Sequence, residues 1–320
     1  MGTGVAEETQ PVIQETTNGV HPAISSDPTV TDTDVRPQYL WPKTRSLLQD
    51  AFSEFMGTFI LVLLGDGSIA QVVLSKNTKG DWQSICWGWG LGLMFGAYTA
   101  TKSGGHLNPA VTLSMCVFRG FSWRKFPIYM CAQILGAMAA ALVVYGNYKS
   151  AIDQYEGYGI RTVGLNTSTA GIFATYPQPF MTRTGMFFSE FIGSSILMFL
   201  IFAVVDNAAQ YLVPLCLFFV LFAVGACFGW ETGFAVNLAR DFGPRLVTYA
   251  LGYGNGVWNA GPYYFWVPMV APFFGCLFGG FLYDVFLYTG ESPINKPFMG
   301  VTRPKEAWRN AAQKEKVSKA

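Results

Sequence analysis

The chain has 320 residues, of which 51% are hydrophobic and 13% are Asp, Glu, Lys or Arg. A soluble domain carries about 25% charged residues, so the deficit points to lipid as the solvent for most of this chain. The net charge of +1 offers no basic surface for nucleic acid.

Residues 1–49 are rich in Thr, Pro, Asp and Glu. They have neither the basic start nor the apolar core of a cleavable leader and read as a disordered cytosolic tail. A helix needs roughly 20 mainly apolar residues to cross a bilayer. Six stretches qualify: 51–74, 83–101, 126–148, 185–205, 211–230 and 262–289. Segments 149–184 and 252–260, rich in Gly, Tyr and Thr, are predicted as loops, and 291–320 as a polar, basic second tail.

Between the spans lie two shorter segments, 108–117 and 237–246, each of about ten residues or about 15 Å of helix, which is half a bilayer. Each begins at an Asn inside a polar block: Gly105-His106-Leu107-Asn108-Pro109-Ala110-Val111-Thr112 and Gly233-Phe234-Ala235-Val236-Asn237-Leu238-Ala239-Arg240-Asp241. Each block follows a copy of one opening, Ser53-Glu54-Phe55 and Ser189-Glu190-Phe191, at nearly the same separation. Three spans and one half-helix per copy, with an odd number of spans, invert the second copy relative to the first. The predicted fold is therefore an all-α membrane protein of six transmembrane helices plus two re-entrant half-helices, an inverted 3+3 repeat. The channel domain covers 50–290, with repeats at about 50–148 and 184–290.

Basic residues favour cytosolic termini. Arg36, Lys43, Arg45, Lys102, Arg119, Arg124, Lys125 and the basic residues after Pro293 outnumber the outer set of Lys76, Lys79, Lys149, Arg161, Arg183 and Arg245. Asn166-Thr167-Ser168, on the predicted outer face, has the form of a glycosylation acceptor. Cys86, Cys116, Cys131, Cys216, Cys227 and Cys276 read as buried thiols. With His21 and His106 far apart, no metal site is expected, and no cofactor either.

These blocks, the paired Glu-Phe starts and the order of spans resemble the aquaporin superfamily (major intrinsic proteins), in its aquaglyceroporin branch and of fungal style. The second block departs from the family's Asn-Pro-Ala signature at Leu238, where Pro is usual. The resemblance implies a passive channel for glycerol, water and small polyols, set in the lipid bilayer of the plasma membrane, assembled as a homotetramer, without enzymatic activity and excluding ions and protons. A water-selective or closed homologue is the first alternative and an ion-coupled transporter the second.

As N-caps, Asn108 and Asn237 would bond the first turn of each half-helix and present their NH2 groups to the pore midpoint, where the positive ends of two helix dipoles repel cations. Pro109 suits the first helical position; Leu238 brings an N–H and a larger side chain, and transport is expected to survive it. Ala110 and Ala239 complete the two motifs. By resemblance the selectivity filter is Trp89, Gly225, Phe234 and Arg240, with Trp87 the alternative to Trp89. Gly225 leaves room for the Phe234 ring, and an ion pair between Arg240 and Asp241 is the other reading of that arginine. His106 is expected to line the pore. By resemblance Glu54 and Glu190, together with Asp241, brace the half-helix loops; a proton relay is the other reading of the two glutamates, with no second intramembrane acid or base nearby in the pattern to support it.

Overall fold

A computed structural model describes residues 40–296. Most of the two predicted tails, 1–39 and 297–320, lies outside the described residues. Ten α-helices follow in chain order: α1 Leu40–Leu47, α2 Gln49–Leu74, α3 Trp82–Thr99, α4 Pro109–Phe118, α5 Phe126–Glu156, α6 Arg183–Asn207, α7 Val213–Phe228, α8 Leu238–Thr248, α9 Gly256–Tyr263 and α10 Trp266–Phe286. No strand occurs among the described residues. Helix α1 lies within the stretch expected to be irregular and has no buried residue.

Five helical segments have the length and apolarity to cross a bilayer: α2, α5, α6, α10 and the segment Gln210–Phe228 that contains α7. The sixth span, α3, has the length, at 18 residues, but Gly and Trp replace aliphatic residues along it. It lies between α2 and α7 in the bundle. The outward faces are apolar, with Leu135, Phe219 and Phe274 all more than half exposed. Such surface belongs against lipid or another apolar partner rather than water. Cys131 and Cys227 are exposed and Cys216 is half-buried, which corrects the reading of all six cysteines as buried. An apolar span has an outer face that need not be covered by protein.

The halves repeat each other in contact as well as in sequence. Helix α2 packs on α3 and α5 as α6 packs on α7 and α10. A Cβ placed on Gly136 of α5 would collide with the carbonyl oxygen of Phe55, and one on Gly275 of α10 with that of Phe191. Both carbonyls belong to the duplicated Ser-Glu-Phe, so the repeated glycine permits the same close helix approach twice. The half-helices cross over. Helix α4 packs against α10, and α8 against α5, so each is seated on the last span of the other repeat.

Two boundaries differ from expectation. Helix α5 continues to Glu156 instead of stopping at 148, because its polar last turns are held by Lys149–Asp153 at 2.9 Å and Arg161–Asp153 at 2.7 Å. Hydropathy ends there, but hydrogen bonding does not. Helix α9 lies across the predicted loop 252–260. A break at Ala260–Pro262 interrupts α9 near its end, ahead of α10, so the last span starts at Trp266 rather than 262.

Gly136→Leu should destabilise the fold by roughly 1–3 kcal/mol through overpacking. Gly146→Leu, on the same helix with nothing within 4 Å of its would-be Cβ, should shift stability by no more than about 0.5 kcal/mol. Thermal unfolding of the purified variants checks this; equal losses would contradict the close-approach argument.

Candidate functional site: a lumen between two half-helices

Asn108 and Asn237 adopt nearly the same extended backbone, φ −152° and −153°. Asn108 Oδ1 accepts from Ala110 N at 2.9 Å, and Asn237 Oδ1 accepts from Ala239 N at 2.9 Å and Arg240 N at 3.3 Å. Both are N-caps, as the sequence predicts. The amide nitrogens, however, do not point wholly into the lumen. Asn108 Nδ2 donates to the Val236 carbonyl and Asn237 Nδ2 to the Leu107 carbonyl, each at 2.8 Å. Each asparagine spends one N–H on the opposite loop and keeps the other.

The residue before each Asn is strained. Leu107 has φ +54° and Val236 φ +41°, left-handed values that a branched side chain rarely adopts. Both are held at two points. Glu54 accepts from His106 N at 2.9 Å and Leu107 N at 2.8 Å, and Glu190 accepts from Ala235 N at 2.9 Å and Val236 N at 2.8 Å. Thus each strained residue donates to the glutamate of its own repeat and accepts from the asparagine of the other. Gln133 Nε2 donates to Glu54 at 2.7 Å, Ser103 Oγ to Glu54 at 2.6 Å, and Tyr264 OH to Glu190 at 3.2 Å.

Both asparagines line one narrow cavity of about 40 Å³, together with His106, Trp89, Phe234 and Arg240. Its other walls are aliphatic, among them Leu61, Leu93 and Leu221. A second, roomier cavity, of about 370 Å³ and lined by Tyr176, Gln178 and Trp230, is also bounded by Phe234 and Arg240. These two residues therefore stand where the spaces meet. His106 Nδ1 lies 3.2 Å from Thr112 Oγ1, and its ring packs against Phe121 and Tyr129.

At the junction the Arg240 guanidinium lies over the Trp89 ring, 4.1 Å from its centroid, and Nη1 donates to the Phe173 carbonyl at 3.3 Å. Phe234 meets Trp89 edge-on at 6.3 Å. Trp89 is 2% exposed, whereas Trp87 is 51% exposed and packs on Phe218 and Phe222. Of the two tryptophans, Trp89 is the one that lines the cavity. Gly225 does not line either cavity. A Cβ there would stand 3.0 Å from Phe234 Cζ and 3.2 Å from Cys86 Sγ, so this glycine acts by admitting the ring.

Asp241 is ion-paired with Arg245 at 2.7 Å and accepts from Thr175 N and Oγ1 at 2.8 and 2.6 Å. It ties α8 to the segment before α6, and no salt bridge joins it to Arg240 among the described residues. Arg245, counted above with the outer basic residues, is 1% exposed and also donates to the Val257 and Thr175 carbonyls. Pro109, Ala110 and Ala239 are buried within the half-helix packing; Leu238 is half-buried. Sequence reasoning missed Phe173, Gln133, Thr175 and Tyr264, which act through carbonyls or as hydrogen-bond partners and have no motif. It also missed Asp66, a fully buried acid inside α2, although an ionisable residue within a span is a visible signal.

Fold and site together define an inverted-repeat membrane protein with a lumen at its centre. The chain belongs to the major intrinsic protein family, whose model matches residues 42–283. It is 69% identical over 281 residues to "Probable aquaglyceroporin-2" of Gibberella zeae, covering 85% of this chain and 84% of that one. It is 66% identical over 272 residues to Aquaglyceroporin-9 of Botryotinia fuckeliana, covering 84% of this chain but 60% of that longer one. The crystal structure of the aquaglyceroporin from Plasmodium falciparum superposes with a TM-score of 0.67 at 33% identity, covering 75% of this chain and 96% of that one.

Glu190→Leu should leave two buried backbone N–H groups without an acceptor, at a cost of about 1–3 kcal/mol each. Glu190→Gln keeps one acceptor oxygen and should lose less. An unfolding temperature for Glu190→Leu equal to that of the unaltered protein would rule out the bracing role.

Proposed function

We infer that this protein is a passive transmembrane channel for glycerol, water and other small uncharged solutes, and that it excludes ions and protons. The observation that carries the reading is the junction of two cavities at Phe234 and Arg240, one step from a midpoint bearing two asparagines. A polyol has a carbon edge and a hydroxyl edge. Trp89 and Phe234 supply apolar walls for the first. Arg240, with its fixed fork of donors, serves the second. At the midpoint, the free N–H of Asn108 and that of Asn237 replace the solute's lost water, while the converging helix dipoles oppose cations.

The names of the relatives support glycerol as a substrate. The absence of a side chain at Gly225 supports the reading by letting the Phe234 ring stand as an apolar wall of the lumen. A proton-coupled mechanism finds little support in Glu54 and Glu190, whose oxygens are occupied by backbone N–H groups. Within this proposal we also place both termini in the cytosol, the protein in the plasma membrane as a homotetramer with one lumen per chain, and a sugar acceptor at the exposed Asn166.

The test is stopped-flow light scattering on reconstituted vesicles. With sucrose outside, they should shrink faster than protein-free vesicles; with glycerol outside, they should shrink and then reswell quickly. Shrinkage without accelerated reswelling would replace the reading with a water-only pore. Leu238→Pro is expected to leave the ratio of glycerol to water permeability largely unchanged, because the Asn237 cap already has the 2.9 Å bond of its counterpart at Asn108. Gain of transport by an otherwise impermeable protein would show instead that Leu238 closes the lumen.

A further inference from the structure

The Arg240 guanidinium rests on the Trp89 ring and on the Phe173 carbonyl. The ring belongs to a span, but the carbonyl belongs to the segment that joins α5 to α6. Whatever fixes that segment therefore bears on Arg240. Two threonines anchor it, one on either side of Phe173. Thr175 is held by Asp241 and Arg245. The second anchor, Thr169, is fully buried and is held by residues with no part in the site so far.

Glu156, the last residue of α5, gathers this segment. Its carboxylate accepts from Thr169 N and Thr169 Oγ1, each at 2.9 Å, and from Thr162 N at 3.1 Å and Thr162 Oγ1 at 2.9 Å. The Thr169 hydroxyl also lies 2.6 Å from the hydroxyl of Tyr253, beyond the end of α8. Since Thr169 gives its one proton to Glu156, Tyr253 donates here. Thr169 opens the short 3₁₀ turn Ala170–Ile172, and Phe173 N closes it on the Ala170 carbonyl at 3.2 Å. The Phe173 ring is fully buried and packs on Tyr145 of α5 and on Tyr253, with centroids 6.2 and 6.4 Å away. An unbroken line of contacts thus runs from Glu156 through Thr169 and its turn to the carbonyl that holds Arg240.

We propose that Glu156 is a positioning residue for solute selection: through Thr169 it fixes the turn that presents the Phe173 carbonyl to Arg240, and so sets the direction of the donors that Arg240 keeps for a polyol. This rests on the channel reading and on Arg240 as its filter residue. Bonds from backbone N–H and hydroxyl groups to a carboxylate are charge-assisted and among the stronger hydrogen bonds of a protein. Without them the segment hangs from Thr175 alone on the Arg240 side, the carbonyl loses its fixed place, and the guanidinium loses register with the solute. The polar turns that carry α5 past its apolar stretch have a use in this arrangement, because a helix stopping at 148 would leave no carboxylate within reach of Thr169.

The experiment compares glycerol and water permeability of vesicles carrying the unaltered protein, Glu156→Ala, Glu156→Gln, Arg240→Val and the double variant Glu156→Ala with Arg240→Val. Glu156→Ala should lower the glycerol-to-water ratio about threefold, within the range that one hydrogen bond contributes. Glu156→Gln keeps an acceptor oxygen and should restore most of the ratio. A purely structural role would remove working channels, lowering both permeabilities in proportion and leaving their ratio unchanged. In the Arg240→Val background Glu156→Ala should change the ratio no further, since a residue acting through Arg240 has no effect without it. An unchanged ratio in Glu156→Ala, a ratio in Glu156→Gln as low as in Glu156→Ala, or an undiminished fall in the Arg240→Val background overturns the proposal and leaves the channel reading intact. Lack of glycerol flux in the unaltered protein overturns both. Should Glu156→Ala yield no folded protein, Thr169→Val, which has nearly the same shape without the hydroxyl, takes its place under the same criteria.

Discussion

Backbone that leaves the helix inside a bilayer must find its hydrogen-bond partners in protein. In this chain the demand is greatest at Leu107 and Val236, which are strained, buried and placed at the midplane where two half-helices meet. The solution is a reciprocal clamp. Each loop hangs from a glutamate of its own repeat and is closed by the asparagine that begins the other repeat's half-helix. The lumen, the direction of the two helix starts and the donors left for a solute all follow from that clamp. It also explains why polar residues tolerate so apolar a setting: most of their bonding capacity is committed before any solute arrives.

The proposed filter obeys the same economy. Trp89 provides a face for Arg240, Gly225 gives up a side chain so that Phe234 can turn inward, and Asp241 is engaged by Arg245 instead of competing for Arg240. The arginine keeps few protein bonds, which in the proposed channel leaves its donors for a passing hydroxyl.

Much of this could be read from the residues. Six apolar runs, two Asn blocks and the doubled Ser-Glu-Phe gave the architecture, because burial in lipid leaves a compositional trace and duplication leaves a spacing. A carboxylate inside a span needs donors, and the family resemblance implied that the half-helix loops supply them to the two glutamates. Features that depend on where chains cross were not legible. Hydropathy cannot see that α5 continues as a polar helix, that a short α9 interrupts a Gly-rich segment, or that Arg245 is turned inward to Asp241 rather than outward. The cross-bonds of Asn108 and Asn237 escaped for the same reason, since a cap is local and its second partner lies in the other half of the chain. Asp66 stood in plain view within a span and was passed over because it belongs to no motif.

The exchange of half-helices between repeats bears on how the molecule is made. Helix α4 is seated on α10, the final span, and α8 on α5. During synthesis the first re-entrant segment therefore emerges long before its seat exists. Until the carboxyl-terminal span arrives, its loop has only partners of its own repeat, among them Glu54, Ser53 and Tyr129. Neither half is a self-sufficient module, despite the shared ancestry its sequence displays, and a ribosome that stops before α10 leaves an open, unsealed precursor.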